Sequence, residues 1–233
     1  MFKPFVLPAA FLAGFVSLPA HAANVSISAG QADVYVAYKN ENSGSFEGTL
    51  DYYNLGFSTR RGGYTFGLNV TGLLEDELKE VNVGEISFPD AERDSISFSI
   101  AKPISDTLSL SGGYYTSELA VHDLVGAADT IETQALFATL TFSDQLTDRL
   151  FWYGRLGAQI NEAELTVHPG EDPVISETLD GFAYVVGAGI VYPLEGSKSL
   201  TFGTEYKEFN YDGGIWDLDE DQTLFTIGYN YGF

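Results

Sequence analysis

Cysteine is absent from all 233 residues, so whatever fold forms is held without disulfides. Cationic residues are scarce: 11 Lys and Arg stand against 33 Asp and Glu, for a formal net charge of −22. A surface so negative repels phosphate backbones, which excludes nucleic acid as a partner. Histidine occurs three times, leaving little material for general-base chemistry. Beyond the first 22 residues no segment reaches the ~18 to 20 continuous apolar residues of a membrane helix. Periodicity at helical spacing is almost absent as well. What remains is plentiful: aromatics are 14 % of the chain, and apolar residues recur with period two. An acidic disordered tail has neither property.

The N-terminus is the one long apolar stretch. Lys3 precedes a run from Phe5 to Leu18, followed by Ala20-His21-Ala22. A positive start, an apolar centre and an A-x-A site predict a secretory signal peptide over 1–22. Pro4, Pro8 and Pro19 interrupt the run, which argues against a membrane anchor helix. Residues 23–233 then form one domain, whose net charge falls to −23 once Lys3 is lost.

Alternation fills that domain. Tyr64, Phe66, Leu68 and Val70 interleave with Thr65, Gly67, Asn69 and Thr71, and Ile96, Phe98 and Ile100 interleave with Ser95, Ser97 and Ser99. Ten such runs are expected, at about 25–38, 49–60, 64–74, 94–103, 107–117, 131–142, 149–162, 180–194, 199–210 and 221–233. An eight-strand count is the alternative. At ~10 to 14 residues each they exceed ordinary globular strands and suit tilted membrane-spanning ones. In the first run, Val25 and Ile27 lie on the opposite parity from Val34 and Val36, which predicts a bulge near Gly30. Short turns at 61–63, 104–106, 143–148 and 195–198 alternate with long connections near 39–48, 75–93, 118–130, 163–179 and 211–220. Such segregation predicts a closed antiparallel up-and-down transmembrane β-barrel with short periplasmic turns, long external loops and both termini periplasmic.

The last residues carry a family resemblance. Tyr229, Tyr231 and Phe233 share one strand face, while Gly228 and Asn230 share the other. With Phe233 at the C-terminus, this resembles the terminal assembly signal of Gram-negative outer-membrane proteins, carried by Gly228, Tyr231 and Phe233. The Ser-Asp turns at Ser105-Asp106 and Ser143-Asp144 repeat a strand-turn-strand unit. Together they make the mature chain similar to the small outer-membrane barrels, including OmpA-type transmembrane domains, OmpX and opacity proteins. That resemblance implies an outer-membrane location in a Gram-negative cell and a porin-like, non-catalytic barrel. Its implied partners are outer-membrane lipid, lipopolysaccharide and the barrel assembly machinery.

Placing the apolar parity on lipid turns the other parity inward. Arg155 and Glu205 then sit at matched depth, and Asp33 and Lys207 are further inward candidates. These four are expected to form an ion-paired lumen network that satisfies buried charge and occludes the barrel. Between them the run at 180–194 offers only Ala183, Val185, Gly187 and Gly189 to the interior.

The long connections are acidic. Eight acids crowd 75–94 and six crowd 162–180. This predicts an acidic external rim, either a solvated charged surface or one that captures divalent cations, such as those bridging lipopolysaccharide, or cationic ligands. Asp217, Asp219 and Asp221 mimic an EF-hand start. Gln222 and Gly228 occupy the positions where that loop needs Gly and Glu, so the motif fails. Enzyme chemistry fares no better. Only His122 and His168 follow the signal peptide, and neither G-x-S-x-G nor His-x-Ser occurs. No catalytic centre, cofactor or metal site is expected. A barrel enzyme acting on lipid A or peptide at the rim is the alternative reading.

Overall fold

The computed structural model describes residues 23–39, 43–75, 82–83, 86–87, 90–122, 128–167 and 174–233. The signal-peptide segment 1–22 lies outside the described residues. Ten antiparallel strands close on themselves: β1 (Ala23–Lys39), β2 (Ser43–Arg61), β3 (Tyr64–Glu75), β4 (Asp90–Pro103), β5 (Leu108–His122), β6 (Ala128–Thr147), β7 (Leu150–Val167), β8 (Ile175–Pro193), β9 (Lys198–Asp212) and β10 (Asp217–Gly232). Each pairs with its chain neighbours, and β1 pairs with β10 to seal the ladder. Ten strands, not eight, make the wall. A two-residue ladder, Asn82–Val83 with Ile86–Ser87, sits between β3 and β4.

The two ends are built differently. At the terminal end the turns are tight. Gly62 and Gly63 both adopt positive φ (59° and 83°), which a two-residue hairpin turn requires and which a side chain would resist. After β4, the Ser105 hydroxyl accepts the backbone N–H groups of Thr107 and Leu108 at 3.3 and 3.1 Å. Phe233 extends the seam past β10 by exchanging backbone hydrogen bonds with Ala23 at 2.9 and 3.2 Å. At the opposite, loop end the strands run on well past the expected boundaries, so 118–122, 128–130, 163–167 and 217–220 are strand rather than loop.

The wall has two zones. In the zone nearer the termini the outward face is apolar: Val25 and Ile27 on β1, Leu136 and Leu140 on β6, Leu156 and Ile160 on β7, Val186 and Ile190 on β8, Ile227 on β10. On β8 the outward series from Tyr184 to Tyr192 spans nine residues, the length of a tilted membrane strand. Above it the chemistry inverts while the backbone parity does not. Outward positions become acidic and inward positions become apolar. Glu118 faces Glu132 across the β5–β6 pair, and Glu132 faces Glu164 across β6–β7. Glu162 faces Asp180, Asp180 faces Asp212, and Glu208 faces Asp221. Inside that same zone lie Val34, Leu50, Leu119, Ile131, Leu165, Leu179, Phe209, Tyr211 and Leu218, one contiguous buried core. Tyr114 and Tyr206 mark the border from outside, their hydroxyls donating upward to Gln134 and Asp221 at 2.9 and 2.8 Å.

This inversion accounts for the bulge expected near Gly30. Both ladders of β1 run from Asn24 to Lys39 without a slip. Val34 is buried in the loop-end core, and Val25 and Ile27 face outward in the apolar zone. The parity of hydrophobicity changes along β1 because the surroundings change. The register shifts occur elsewhere, at Asp51/Tyr52 and Gln145/Thr147.

Candidate functional site in the barrel lumen

Inward side chains in the middle of the barrel are arranged in rows across neighbouring strands. Arg155 on β7, Gly187 on β8 and Glu205 on β9 are successive partners in one row. Because Gly187 carries no side chain, the Arg155 guanidinium reaches over β8 to Glu205. A Cβ at 187 would meet Arg155 Cγ at 2.9 Å. Arg155 Nη1 donates to Glu205 Oε2, and Lys207 Nζ donates to Glu205 Oε1 at 3.2 Å. One carboxylate therefore serves two cations. A guanidinium has five N–H donors, of which the Glu205 contact engages one, and the Arg155 side chain is 43 % exposed to the lumen.

Asp33 is not among them. With β1 in continuous register it shares the outward parity of Val25 and Ile27, stands exposed in the acidic zone, and accepts the Thr49 hydroxyl at 2.7 Å. Of the four residues expected to meet, the structure brings together three.

A second ion pair sits nearer the loop end and was not read from the sequence. Arg93 Nη1 lies 2.5 Å from Glu220 Oε1, and Gln222 Nε2 donates to the same oxygen at 2.5 Å. Glu220 is 1 % exposed. Burial disfavours the Arg93 charge, but the facing Glu220 carboxylate outweighs it and holds the guanidinium's pKa above its ordinary value. Burial, and then Glu220, raise the pKa of the neighbouring Tyr211 hydroxyl, which lies 3.5 Å from Thr133 Oγ1. Arg93 and Glu220 both fall in segments dense in acids, where alternation read as loop. The signal that could have found them is a lone Arg within an acidic run, facing a Glu flanked by inward Leu218 and Gln222.

Between these pairs lies a cavity of about 450 Å³. One wall carries Arg155, Glu205 and Lys207. Across from it, β4 carries Ser95, Ser97 and Ser99, while Thr139 and Thr141 on β6 lie beside Arg155 on the adjoining strand. A smaller chamber of about 190 Å³ continues toward the terminal end and shares Asn69 and Ser99 with the cavity wall. Toward the loop end the lumen closes. Tyr211 packs over Gly181, where a Cβ would meet its ring at 2.5 Å, and Leu179 is fully buried beneath the β9–β10 connection. That connection is pinned by Glu177, whose carboxylate accepts the backbone N–H groups of Gly214, Ile215 and Trp216.

Gly228, Tyr231 and Phe233 stand together at the terminal end. Gly228 is buried beside Ser28, while the Tyr231 and Phe233 rings stack at 6.1 Å and face outward. His122 closes β5, whereas His168 lies outside the described residues. Among the described residues no group of His, Cys, Asp and Glu forms a metal-holding set.

No protein-family model matches the chain, and no curated protein matches it in sequence. Solved structures do match in shape. The outer-membrane protease OmpT from Escherichia coli superposes with a TM-score of 0.68 at 11 % identity, covering 93 % of this chain and 98 % of that one. Neisserial surface protein A matches with a TM-score of 0.41 at 10 % identity, over 90 % and 97 % of the two chains. Ail of Yersinia pestis matches at 0.34 and 15 %, over 90 % and 98 %. The OmpT likeness extends over nearly both chains at an identity that speaks to architecture alone. The fold is that of the ten-stranded outer-membrane β-barrels.

Proposed function

We propose that this chain is a non-catalytic integral protein of a Gram-negative outer membrane, with a sealed lumen and an acidic barrel half projecting from the cell. The apolar outer zone meets lipid, the short turns and both termini face the periplasm, and the acidic zone stands above the lipid headgroups. Kinship with the OmpA, OmpX and opacity group is part of this proposal and is carried by the C-terminal pattern. So is assembly through Gly228, Tyr231 and Phe233. Among porin-like roles, envelope integrity and surface adhesion are favoured over solute passage. The observation that carries this choice is the loop-end core: Leu179, Leu218, Phe209 and Tyr211 fill the bore and are at most 3 % exposed. A diffusion porin keeps a water-filled path at that level. Lipopolysaccharide is the neighbour expected around the acidic zone, with divalent cations between the carboxylates and its phosphates.

Two measurements on one preparation test this reading. Membrane fractions run with and without boiling should show two mobilities, because a closed ladder resists SDS until heated. The refolded protein in planar bilayers should give at most small, intermittent currents. A single mobility in a soluble periplasmic fraction overturns the membrane assignment, and a large steady current overturns the sealed lumen.

A further inference from the structure

The lumen charges do not balance. The charged side chains lining the main cavity, among the described residues, are Arg93, Arg155, Lys207 and Glu205. Arg93 is neutralised by Glu220 behind it, which leaves Arg155 and Lys207 to share Glu205. Asp33, the carboxylate that would have completed the set, is on the outer face. Among the described residues one positive charge in excess therefore faces the lumen cavity, inside a chain whose formal charge is −22. A partly desolvated cation without a counter-charge is costly, and an anion of matching charge relieves that cost.

The cavity also indicates what kind of anion. Its volume of about 450 Å³ lies within the range of small-molecule sites. Arg155, 43 % exposed, presents to the cavity the planar fork of donors that suits a carboxylate. Across the cavity are the hydroxyls of Ser95, Ser97 and Ser99, and beside it on the adjacent strand are those of Thr139 and Thr141, a lining suited to bonding further hydroxyls rather than a second charge. The chamber at the terminal end gives access through Asn69 and Ser99.

We propose that the lumen cavity binds a small hydroxyl-rich monocarboxylate, a sugar acid in chemical class, with its carboxylate on Arg155 and Lys207 and its hydroxyls on the β4–β6 wall. The site needs the cavity and its charge, not the loop-end seal, so it goes beyond the role proposed above and its failure is distinct from a failure of that role.

The test is calorimetric titration of the refolded full barrel in zwitterionic micelles at low chloride. D-gluconate is the probe, with acetate and D-glucose as partial probes carrying only the charge or only the hydroxyls. Gluconate should bind saturably and at least tenfold more tightly than either. Thr141 is the direct cross-strand partner of Arg155, so Thr141→Asp supplies the missing carboxylate inside the cavity. That variant should lose gluconate binding by at least tenfold. Lys207→Gln removes the excess charge and leaves the Arg155–Glu205 pair intact, and should weaken binding to a similar degree while the unboiled mobility is kept. It carries the test if Thr141→Asp fails to fold. No saturable binding by the wild type overturns the proposal, as does acetate matching gluconate, or a folded variant of either kind that binds as the wild type does.

Discussion

The two halves of this barrel are written in the same alternation with opposite meaning. Near the termini, the outward residue is Ile, Leu or Val and the inward one is Ser, Thr, Asn or Gly, as on β4, where Ile96, Phe98 and Ile100 face out and Ser95, Ser97 and Ser99 face in. Near the loops, the outward residue is Asp or Glu and the inward one is Leu, Phe or Ala, as on β7, where Glu162 and Glu164 face out and Ala163 and Leu165 are buried. One half has an apolar outer face and a polar interior, the pattern of a wall that stands in lipid. The other is built like a soluble barrel around its own core. Since no register slips in β1 at the border, the pleat is indifferent to which face is wet. The surroundings decide which parity must be apolar.

If the loop half is a soluble-type core, a charge inside it must be paired. Glu220 is buried among Leu218, Tyr211 and Arg93, so Glu220→Leu leaves the Arg93 guanidinium without its carboxylate. The expected cost is about 3–5 kcal/mol, read as a lowered urea midpoint in micelles or bilayers. Pairing it with Arg93→Met should recover most of that loss, because an apolar pair of similar volume suits this half. A single variant as stable as wild type would show that water reaches Arg93, and the soluble-core description of the loop half would fall.

The outer faces should answer one substitution in opposite ways. Thr204 lies outward between Phe202 and Tyr206, in the apolar zone. Thr204→Lys should cost about 2–4 kcal/mol if that face meets hydrocarbon. Thr178 is outward in the acidic zone, opposite Glu164 and two residues from Asp180. Thr178→Lys should be neutral or stabilise by up to about 0.5 kcal/mol, with the gain shrinking at high salt. Equal costs at the two sites would erase the border between the zones.

How much of this was legible in the sequence follows from the same inversion. The ten strands, their order and the inward set of Arg155, Glu205 and Lys207 could be read, because in the terminal half alternation and lipid-facing apolar residues agree. In the loop half, the strand ends at 118–122, 128–130, 163–167 and 217–220 have the composition of loops. Its acids are dense, and its apolar residues sit on the parity that a purely membrane-facing rule assigns to the lumen. Asp33 shows the consequence. Taking Val34 as lipid-facing turned Asp33 inward, whereas Val34 is buried in a core that single-strand alternation does not reveal. The Arg93–Glu220 pair was missed for a related reason. It joins residues 127 positions apart across the bore, and only the closed geometry brings them together.

Deleting the same atoms from inside and outside sharpens the contrast further. Leu179 is fully buried in the loop-end core, while Leu156 faces outward at 53 % exposure in the bare protein. Both Leu→Ala changes lose about 2 kcal/mol of transfer free energy. If the outer face at 156 meets lipid, as proposed, its chains fill the space. At 179 a void remains, and the total should rise to about 3–5 kcal/mol. Leu179→Ala should also raise the frequency of small currents, since it thins the seal. If the two variants lose equal stability, the loop-end interior is loosely packed and cannot be what closes the bore.

The smallest expected effect concerns how that seal is held. Glu177 ends the inward row of β8 and gathers three backbone N–H groups from the connection between β9 and β10. These donors belong to a turn outside the barrel ladder, and the carboxylate satisfies them directly. Leu179, two residues along β8, lies against Gly213 of the same connection, which couples the pinned turn to the buried core. Glu177→Gln keeps the shape and one acceptor oxygen but loses the charge that strengthens the three bonds. The expected loss is about 1–2 kcal/mol, confined to the loop end. Amide exchange at Gly214, Ile215 and Trp216 should accelerate roughly tenfold, while amides of the terminal half, such as those of Ile190 and Ile227, keep their protection. If protection falls equally in both halves, they unfold as one unit. Their difference would then be one of chemistry without a difference in cooperativity.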